Sequence, residues 1–282
     1  MLELAAGLSS RALDAIAELE RSVIAADGGR LKLEWGRLRR RAGDRVEDLL
    51  WWEEDRLLGF LGFYGSGATL ELAGMVAPDA RRRGIGTALL DGAVRLCRER
   101  GARKALLIVP RPSVAGERLA LRRGAVLDHS EHALVLSGDP TSGPRDPALN
   151  LRPATTADIP VISRLLEVGF GEPVHEDLAR SLDAPDERTL VIAVEDSVVG
   201  TLRITRDGDD ARIYAFVVDP SRQGRGIGRD ALRRVCEQLR AEDAPRIGLE
   251  VAVDNDRALR LYTSIGFTPV ITEDYYALPL SA

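Results

Sequence analysis

Between Tyr214 and Phe267 the chain gathers residues that can bind an anion, polarise a carbonyl and move a proton. An apolar, β-branched run ends at Asp219-Pro220 and gives way to Ser-Arg-Gln-Gly-Arg-Gly-Ile-Gly, with helical periodicity beginning near Gly228. Gly226 and Gly228 carry no Cβ, so the backbone there can turn sharply and approach a ligand closely. The first N–H groups of the following helix have no internal partners, and its dipole favours an anion. Arg222, Gln223 and Arg225 add donors and positive charge. The stretch Arg222, Gln223, Gly224, Arg225, Gly226, Ile227, Gly228, Arg229 therefore reads as a pyrophosphate site. Downstream, Glu250 lies on a strand. Asn255, Ala258 and Tyr262 then follow at i, i+3 and i+7, which puts an amide, a small residue and a phenol on one helix face.

A strand, a glycine turn and a helix are shared by several nucleotide-binding designs. A P-loop needs Lys-Ser/Thr after its glycines, whereas Arg229 follows Gly228 here. The dinucleotide fingerprint opens a βαβ unit with an acid about 20 residues further on. The spacing here is Val-Asp-Pro, Gln223-x-x-Gly226-x-Gly228, and later Asn255-x-x-Ala258-x-x-x-Tyr262-x-x-x-Gly266-Phe267. The two blocks together resemble the GNAT superfamily of acyl-CoA-dependent N-acyltransferases.

That resemblance implies acetyl-CoA (coenzyme A) as cofactor. It also implies a strand before the loop that bulges, splays from its neighbour and polarises the thioester carbonyl with a backbone N–H. Phe216, Val217 and Val218 occupy that stretch. By the same resemblance Tyr262 protonates the departing thiolate, since a phenol with pKa near about 10 is a workable acid for a thiol near about 8.5. A tyrosine simply packed in the core is the alternative. Leu249-Glu250-Val251 with Asn255 is similar to the ribosomal-protein N-terminal acetylases, where this glutamate is the general base. An exposed strand residue or an ion-pair partner is the alternative. Asn255 either contacts the pantetheine arm or caps the helix.

The same order of elements occurs earlier in the chain. Pro78 and Pro220, Gly84 and Gly226, and Gly124 and Gly266 each stand 142 positions apart. An offset held over three landmarks indicates duplication of a whole unit. In the first copy an amphipathic helix over 9–24, strands over 46–53 and 57–64, and a strand Leu70–Ala77 precede the loop Arg81-Arg82-Arg83-Gly84-Ile85-Gly86. A helix through Arg100, a strand Lys104–Val109, a helix Val114–Arg123 and a strand Ala133–Ser137 follow. The segment 139–150, dense in Gly, Pro, Ser and Asp, reads as a linker between domains 1–138 and 151–282. The fold class expected is α/β (α+β): two tandem GNAT-like domains, each a mixed, mostly antiparallel sheet flanked by helices.

Position-by-position comparison predicts unequal copies. Ser113, Gly116 and Ala120 stand where the second copy has Asn255, Ala258 and Tyr262, and Ile108 stands in place of Glu250. The first copy keeps its loop, so Met75, Val76, Ala77, Arg81, Arg82, Arg83, Gly84, Ile85, Gly86 and Thr87 form a second candidate CoA cradle. Either it holds CoA without chemistry, or it is an empty scaffold. The second copy, with a helix over Ala157–Val168, is the expected catalyst. It is an N-acetyltransferase acting on a primary amine of a small molecule or peptide. Helices between Ala157 and Leu182 and strands around Tyr275-Tyr276 are expected to meet the acceptor, with Glu167, Glu172, Glu176 and Asp177 attracting a cation. A non-catalytic CoA-sensing protein is the rival reading.

A degraded first copy beside an intact second one also resembles the mycothiol synthases, which acetylate a cysteinyl pseudodisaccharide. The carboxylate that resemblance calls for falls at Arg212.

The 282 residues carry a net charge of -5, with 45% hydrophobic and 29% charged residues, a soluble globular composition that gives no reason to expect nucleic-acid binding. No apolar run approaches the ~20 residues needed to span a bilayer. The N-terminus carries acids early and does not read as a secretory signal. Cys97 and Cys236 sit in apolar helical stretches and read as reduced, buried thiols of a cytoplasmic protein. His175, one of three histidines, has no ligand cluster around it, and no metal is expected.

Overall fold

Each copy is a run of strands that turns into a helix through a glycine loop, and the structure repeats that plan twice. The computed structural model describes all residues except 42, 66, 172–177, 180–181, 183–186 and 281–282. The chain forms two compact units, one of residues 1–132 and 271–282 and the other of residues 133–270.

In the first unit β1 (Leu2–Ala5) is followed by α1 (Ser10–Asp27), α2 (Trp35–Arg39), β2 (Asp48–Glu53), β3 (Arg56–Tyr64) and β4 (Thr69–Val76). A 3₁₀ turn, Pro78–Ala80, leads into α3 (Ile85–Glu99), β5 (Lys104–Pro110), α4 (Val114–Arg122) and β6 (Val126–Leu136). Helix α1 starts where Ser9 accepts a hydrogen bond from the Ala12 N–H at 3.2 Å. It buries Ile16, Leu19 and Val23 at helical spacing. Strand β3 is buried at all but its first residue, as expected of a strand covered on both faces. Only the β4–β5 pair is parallel among β1 to β5.

The second unit runs through β7 (Leu149–Pro153), a 3₁₀ turn Thr156–Asp158, α5 (Ile159–Phe170), β8 (Glu187–Val194), β9 (Ser197–Asp207) and β10 (Asp210–Val218). Another 3₁₀ turn, Pro220–Arg222, precedes α6 (Ile227–Ala241), β11 (Ile247–Ala252), α7 (Asp256–Thr263) and β12 (Thr268–Pro279). Strands β7 to β10 pair antiparallel and β10–β11 parallel. One face buries Ile192, Leu202, Ile213 and Leu249 with Leu232, Val235 and Leu239 of α6. The other buries Val191 and Val217 under Ile162, Leu165 and Leu166 of α5. The helix expected from Ala157 thus begins two residues later. Arg152 and Thr155 gather around Asp158 at this boundary, and the bidentate Arg152–Asp158 pair measures 2.8 Å in both arms. Those bonds hold the Asp158 carboxyl well below the ordinary carboxylate range.

Three features differ from expectation. The sequence reading missed β1 and α2, which are too short to show a period. Strand β6 begins at Val126 rather than Ala133. Most consequentially, β12 leaves its own copy: Glu273–Pro279 pairs antiparallel with Lys104–Pro110 of β5. The change of unit falls within β6 and β12, at 132/133 and 270/271. We retain 1–138 and 151–282 as a proposed division into sequence copies, because the offset of 142 concerns the order of the chain rather than its packing. The segment read as a linker is tied to α6: Arg233 donates to the carbonyls of Thr141 and Pro144, and Arg234 to that of Asp146.

Candidate active site

Strand β10, its loop, α6, β11 and α7 bring most of the expected site residues together. At the start of α6, Gly226 takes a left-handed conformation (φ 84°, ψ −10°), and Gly224 also has positive φ at 78°. No side chain caps α6, so its first N–H groups remain available. Its Asp230 is turned away from that role. It accepts from Arg234 and from the Asp146 N–H. Gln223 donates to the Val218 carbonyl at 2.8 Å and ties the loop back to the strand. Hydrogen bonds from the Ser221 hydroxyl and N–H keep the Asp219 carboxyl low, helped by Arg164 of α5 at 3.0 Å. Arg222, Arg225 and Arg229 form no ion pair among the described residues. Ile227 is buried in the core, and a Cβ on Gly228 would sit 3.5 Å from Phe216.

The strand before the loop is broken in a specific way. Pairing of β10 with β9 jumps from Tyr214↔Arg203 to Val217↔Thr201, which leaves Ala215 and Phe216 as a bulge. Ala215 has a φ of 50°, a conformation an alanine rarely adopts. Beyond the bulge Val217 and Val218 rejoin β9. On its other edge β10 pairs with β11 only at Ala211↔Ile247 and Arg212↔Gly248, so the two parallel strands part before the bulge. Parted strands and a bulge leave backbone N–H groups without sheet partners, as an oxyanion-type site requires. The sequence reading placed the bulge by resemblance at Phe216–Val218. It missed Ala215, because nothing marks an alanine for positive φ.

Tyr262 projects from α7 into the core beside this bulge. Its ring centroid lies 6.5 Å from that of Phe216 and 6.3 Å from that of Phe267. It is 7% exposed, and its hydroxyl has no hydrogen-bond partner among the described residues. Burial alone pushes the phenol up to about 12. The group is therefore a stored proton at any ordinary pH. Asn255 caps α7, its side-chain oxygen accepting from the Ala258 N–H at 3.0 Å, and Ala258 packs against the core. Of the two readings for Asn255, the geometry supplies the cap. Glu250 alternates with buried Leu249 and Val251, which places it on the face opposite α6, where Arg212 approaches it to 3.5 Å.

The first unit keeps the loop and loses the rest. Gly84 at the start of α3 has φ 84° and ψ −4°, and Arg82 (φ 64°) repeats the left-handed turn of Gly224. Arg81 donates to the Val76 carbonyl at 3.2 Å, the counterpart of the Gln223 bond. Its guanidinium, however, is held by Asp27 at 2.8 Å in both arms, and Arg83 is held by Glu53 at 2.6 and 2.8 Å. Positive charge read from sequence as available to an anion is therefore matched by carboxylates. Met75 and Val76 stay in register with Phe60 and Gly59, and the Ala77 N–H bonds to the Leu58 carbonyl. There is no bulge, and β4 remains paired with β5 from Thr69↔Lys104 to Ala73↔Ile108. Ile85 is buried, while Gly86 and Thr87 lie in the first turn of α3. Ala120 is buried where the second unit has Tyr262.

Residues proposed to meet the acceptor are dispersed. Tyr275 and Tyr276, on β12, are buried in the core of the first unit. There Lys32 donates to the Tyr275 hydroxyl at 2.5 Å, which in turn donates to Glu131 at 2.7 Å. This is a correction to the expected acceptor site, and its cause is the pairing of β12 with β5. Glu167 is exposed on α5. Glu172, His175, Glu176 and Asp177 lie outside the described residues. Both cysteines are buried and free, with burial pushing the Cys97 thiol up to about 11 and that of Cys236 to about 12. No group of three metal-ligating side chains occurs among the described residues, and no helix there is long and apolar enough to cross a membrane.

Comparison with known proteins agrees with this geometry. Residues 14–125 and 160–267 match the Acetyltransferase (GNAT) family. A mycothiol acetyltransferase from Brachybacterium faecium is 32% identical over 76% of this chain and 68% of its own length. Another, from Kineococcus radiotolerans, is 31% identical over 94% of this chain and 92% of its own. Among solved structures, a GCN5-related N-acetyltransferase from Sphaerobacter thermophilus superposes with a TM-score of 0.83 at 18% identity. It covers all of this chain and 96% of that one. A tandem GNAT protein of the clavulanic acid pathway gives 0.74, also at 18% identity, over 100% and 99%. Two units of the same strand, glycine-loop and helix order stand in tandem, and the second also carries the bulge. The chain belongs to the GNAT acetyltransferase family and is a tandem-domain N-acetyltransferase, with a layout similar to that of the mycothiol synthases.

Proposed function

We propose that the second unit carries out acetyl-CoA-dependent N-acetylation of a small-molecule or peptide amine, and that the first unit is a non-catalytic partner. The supporting observation is the break in β10: a bulge at Ala215-Phe216, parted from β11, beside an uncapped helix start and an unpartnered tyrosine hydroxyl.

The residues fit coenzyme A. Left-handed Gly224 and Gly226, the open N-terminus of α6 and three arginines without carboxylate partners suit a diphosphate. When bound, the cofactor supplies an activated acetyl thioester. The chain's own work is then positional and protonic. The loop Gln223–Arg229 grips the phosphates, and the bulged backbone offers N–H groups fixed before the reaction begins. The opening between β10 and β11 admits the arm. Tyr262 Oη delivers a proton on the α7 side. Glu250 stands on the opposite face, positioned to take the amine's proton directly or through water, with Arg212 holding the carboxylate in place.

The test is thiol release from acetyl-CoA across an amine library, with Tyr262→Phe alongside. Amine-dependent thiol release from acetyl-CoA, lost in the phenylalanine variant, supports the reading. No release above hydrolysis with any amine reduces the protein to a CoA binder. A second reading is a mycothiol-type acceptor, favoured by the names of the two relatives. Arg212 stands where that resemblance calls for a carboxylate, so the cysteinyl pseudodisaccharide belongs in the library as one arm among others.

A further inference from the structure

On the face of the second unit that α5 covers, and beside the bulge, three strands bring together polar side chains that satisfy one another only in part. Arg203 of β9 lies opposite Thr189 of β8 and opposite Tyr214 of β10, the last residue before the bulge. Arg203 is 8% exposed and Thr189 4%. The Arg203 Nε and Nη2 and the Thr189 Oγ1 are buried without hydrogen-bond partners among the described residues. The remaining guanidinium nitrogen, Nη1, approaches Glu187 Oε1 only to 3.6 Å, beyond hydrogen-bond length, and that oxygen also lacks a hydrogen bond. Tyr214 flanks the group, with the guanidinium carbon 6.0 Å from its ring centroid, and its phenol, pushed up by burial, interacts with both Glu187 and Arg203 while leaving Arg203 Nε and Nη2 unbonded.

Burying donors of a charged fork without acceptors is costly, and such groups are rarely left so without a reason. A guanidinium presents paired N–H groups in the geometry of a carboxylate. The orphaned edge, Nε with Nη2, is the edge that forms a two-bond fork. Its strand neighbour Tyr214 leads directly into Ala215-Phe216, and adjacent strands lie only about 4.8 Å apart. An anion held there would sit within a few ångströms of the bulged backbone, on the same face as Glu250 rather than that of Tyr262.

We infer that Arg203, with Thr189, is a specificity site for a carboxylate on the acceptor, so that the preferred substrate is an amino-carboxylate rather than a plain amine. This rests on the acetyl-transfer reading of the same unit and narrows its substrate class.

The experiment compares matched acceptors: phenylalanine with phenethylamine, leucine with isopentylamine, and the carboxylate-free cysteinyl pseudodisaccharide. The wild type is expected to favour the carboxylate member of each pair by about tenfold or more in kcat/KM, since a site built to bond a group discriminates strongly against its absence. Arg203→Met should bring the pairs to within about threefold while leaving the plain amines near their wild-type rate. Arg203→Lys, which keeps the charge but not the fork, should retain only part of the preference. It also serves if the methionine variant does not fold. Equal losses on both members of a pair would show a merely structural arginine, and a wild type indifferent to the carboxylate overturns the assignment without any variant. Titrating wild-type protein with the N-acetyl products reads the same preference without turnover. Absent thiol release therefore counts against acetyl transfer, whereas carboxylate-blind product binding counts against Arg203.

Discussion

Strands β4 and β10 hold the same place in two copies of one plan, and they differ in how completely they are paired. Strand β4 runs in register with β3 through Val76 and stays with β5 as far as Ala73. Strand β10 bulges at Ala215-Phe216 and leaves β11 after Arg212. The loops that follow are nearly superposable in dihedral terms, with Gly84 and Gly226 both at φ 84°. The left-handed glycine loop is thus common to both copies, whatever the state of the strand before it. What separates the copies is an interrupted sheet, a phenol in place of Ala120, and arginines left without carboxylate partners. A glycine-arginine loop alone is weak grounds for assigning catalysis.

That contrast can be broken in several ways. The largest effect is expected from Gly226→Val, which forces a β-branched residue into positive φ at the phosphate loop. It should lower kcat/KM by about a hundredfold or more and weaken coenzyme A binding in calorimetry, whereas Gly84→Val should cost about 1–2 kcal/mol of stability and leave turnover intact. Next, Tyr262→Phe should reduce kcat about 10²-fold or more with cofactor affinity unchanged. Because burial places that phenol at about 12, it loses its proton only as pH rises through that value. No falling limb of kcat below about pH 10 should be traceable to it. A descending limb near pH 9 that disappears in Tyr262→Phe would refute the assignment.

A reciprocal change sharpens the point. Freeing the first unit's arginines with Asp27→Asn and Glu53→Gln should create no second coenzyme A site, because β4 still lacks a bulge. Two bound equivalents in place of one would mean that charge, not the parted strands, decides occupancy. A smaller effect, roughly threefold to tenfold in cofactor affinity and diminishing with salt, is expected for Arg225→Ala. Smallest in consequence for activity is Asp158→Asn, which should destabilise the second unit by about 1–2 kcal/mol at pH 7. Asp158 has its pKa depressed, so its contribution is fully present above the ordinary carboxylate value and disappears as pH falls through the lowered one. The gap between wild type and variant should close only in strong acid.

Much of this was legible in sequence because it is local. Glycine spacing, the cap at Asn255 and the helix face bearing Tyr262 each depend on residues close together in the chain, and the 142-residue repeat shows as a constant offset between such local motifs. What escaped is non-local. The partners of Arg81 and Arg83 are Asp27 and Glu53, 54 and 30 positions away, and nothing near the loop announces them. Tyr275 and Tyr276 were assigned to an acceptor site because they end the second copy, yet a strand's own pattern does not say which neighbour it will join. The unsatisfied group at Arg203 escaped for the same reason, since β8, β9 and β10 assemble it only in register.

The exchange of β12 has a consequence for how the chain can be divided and how it matures. Residues 271–280 supply the strand that β5 needs, and Lys32 and Arg30 find Tyr275 and Glu273 there. A fragment stopped at residue 138 would expose the unprotected edge of β5, and it is expected to aggregate where full-length protein stays in solution. During synthesis β5 emerges well before residues 273–279 and lacks that neighbour until they are made. A strand encoded more than 160 positions after β5 therefore completes the pairing of β5.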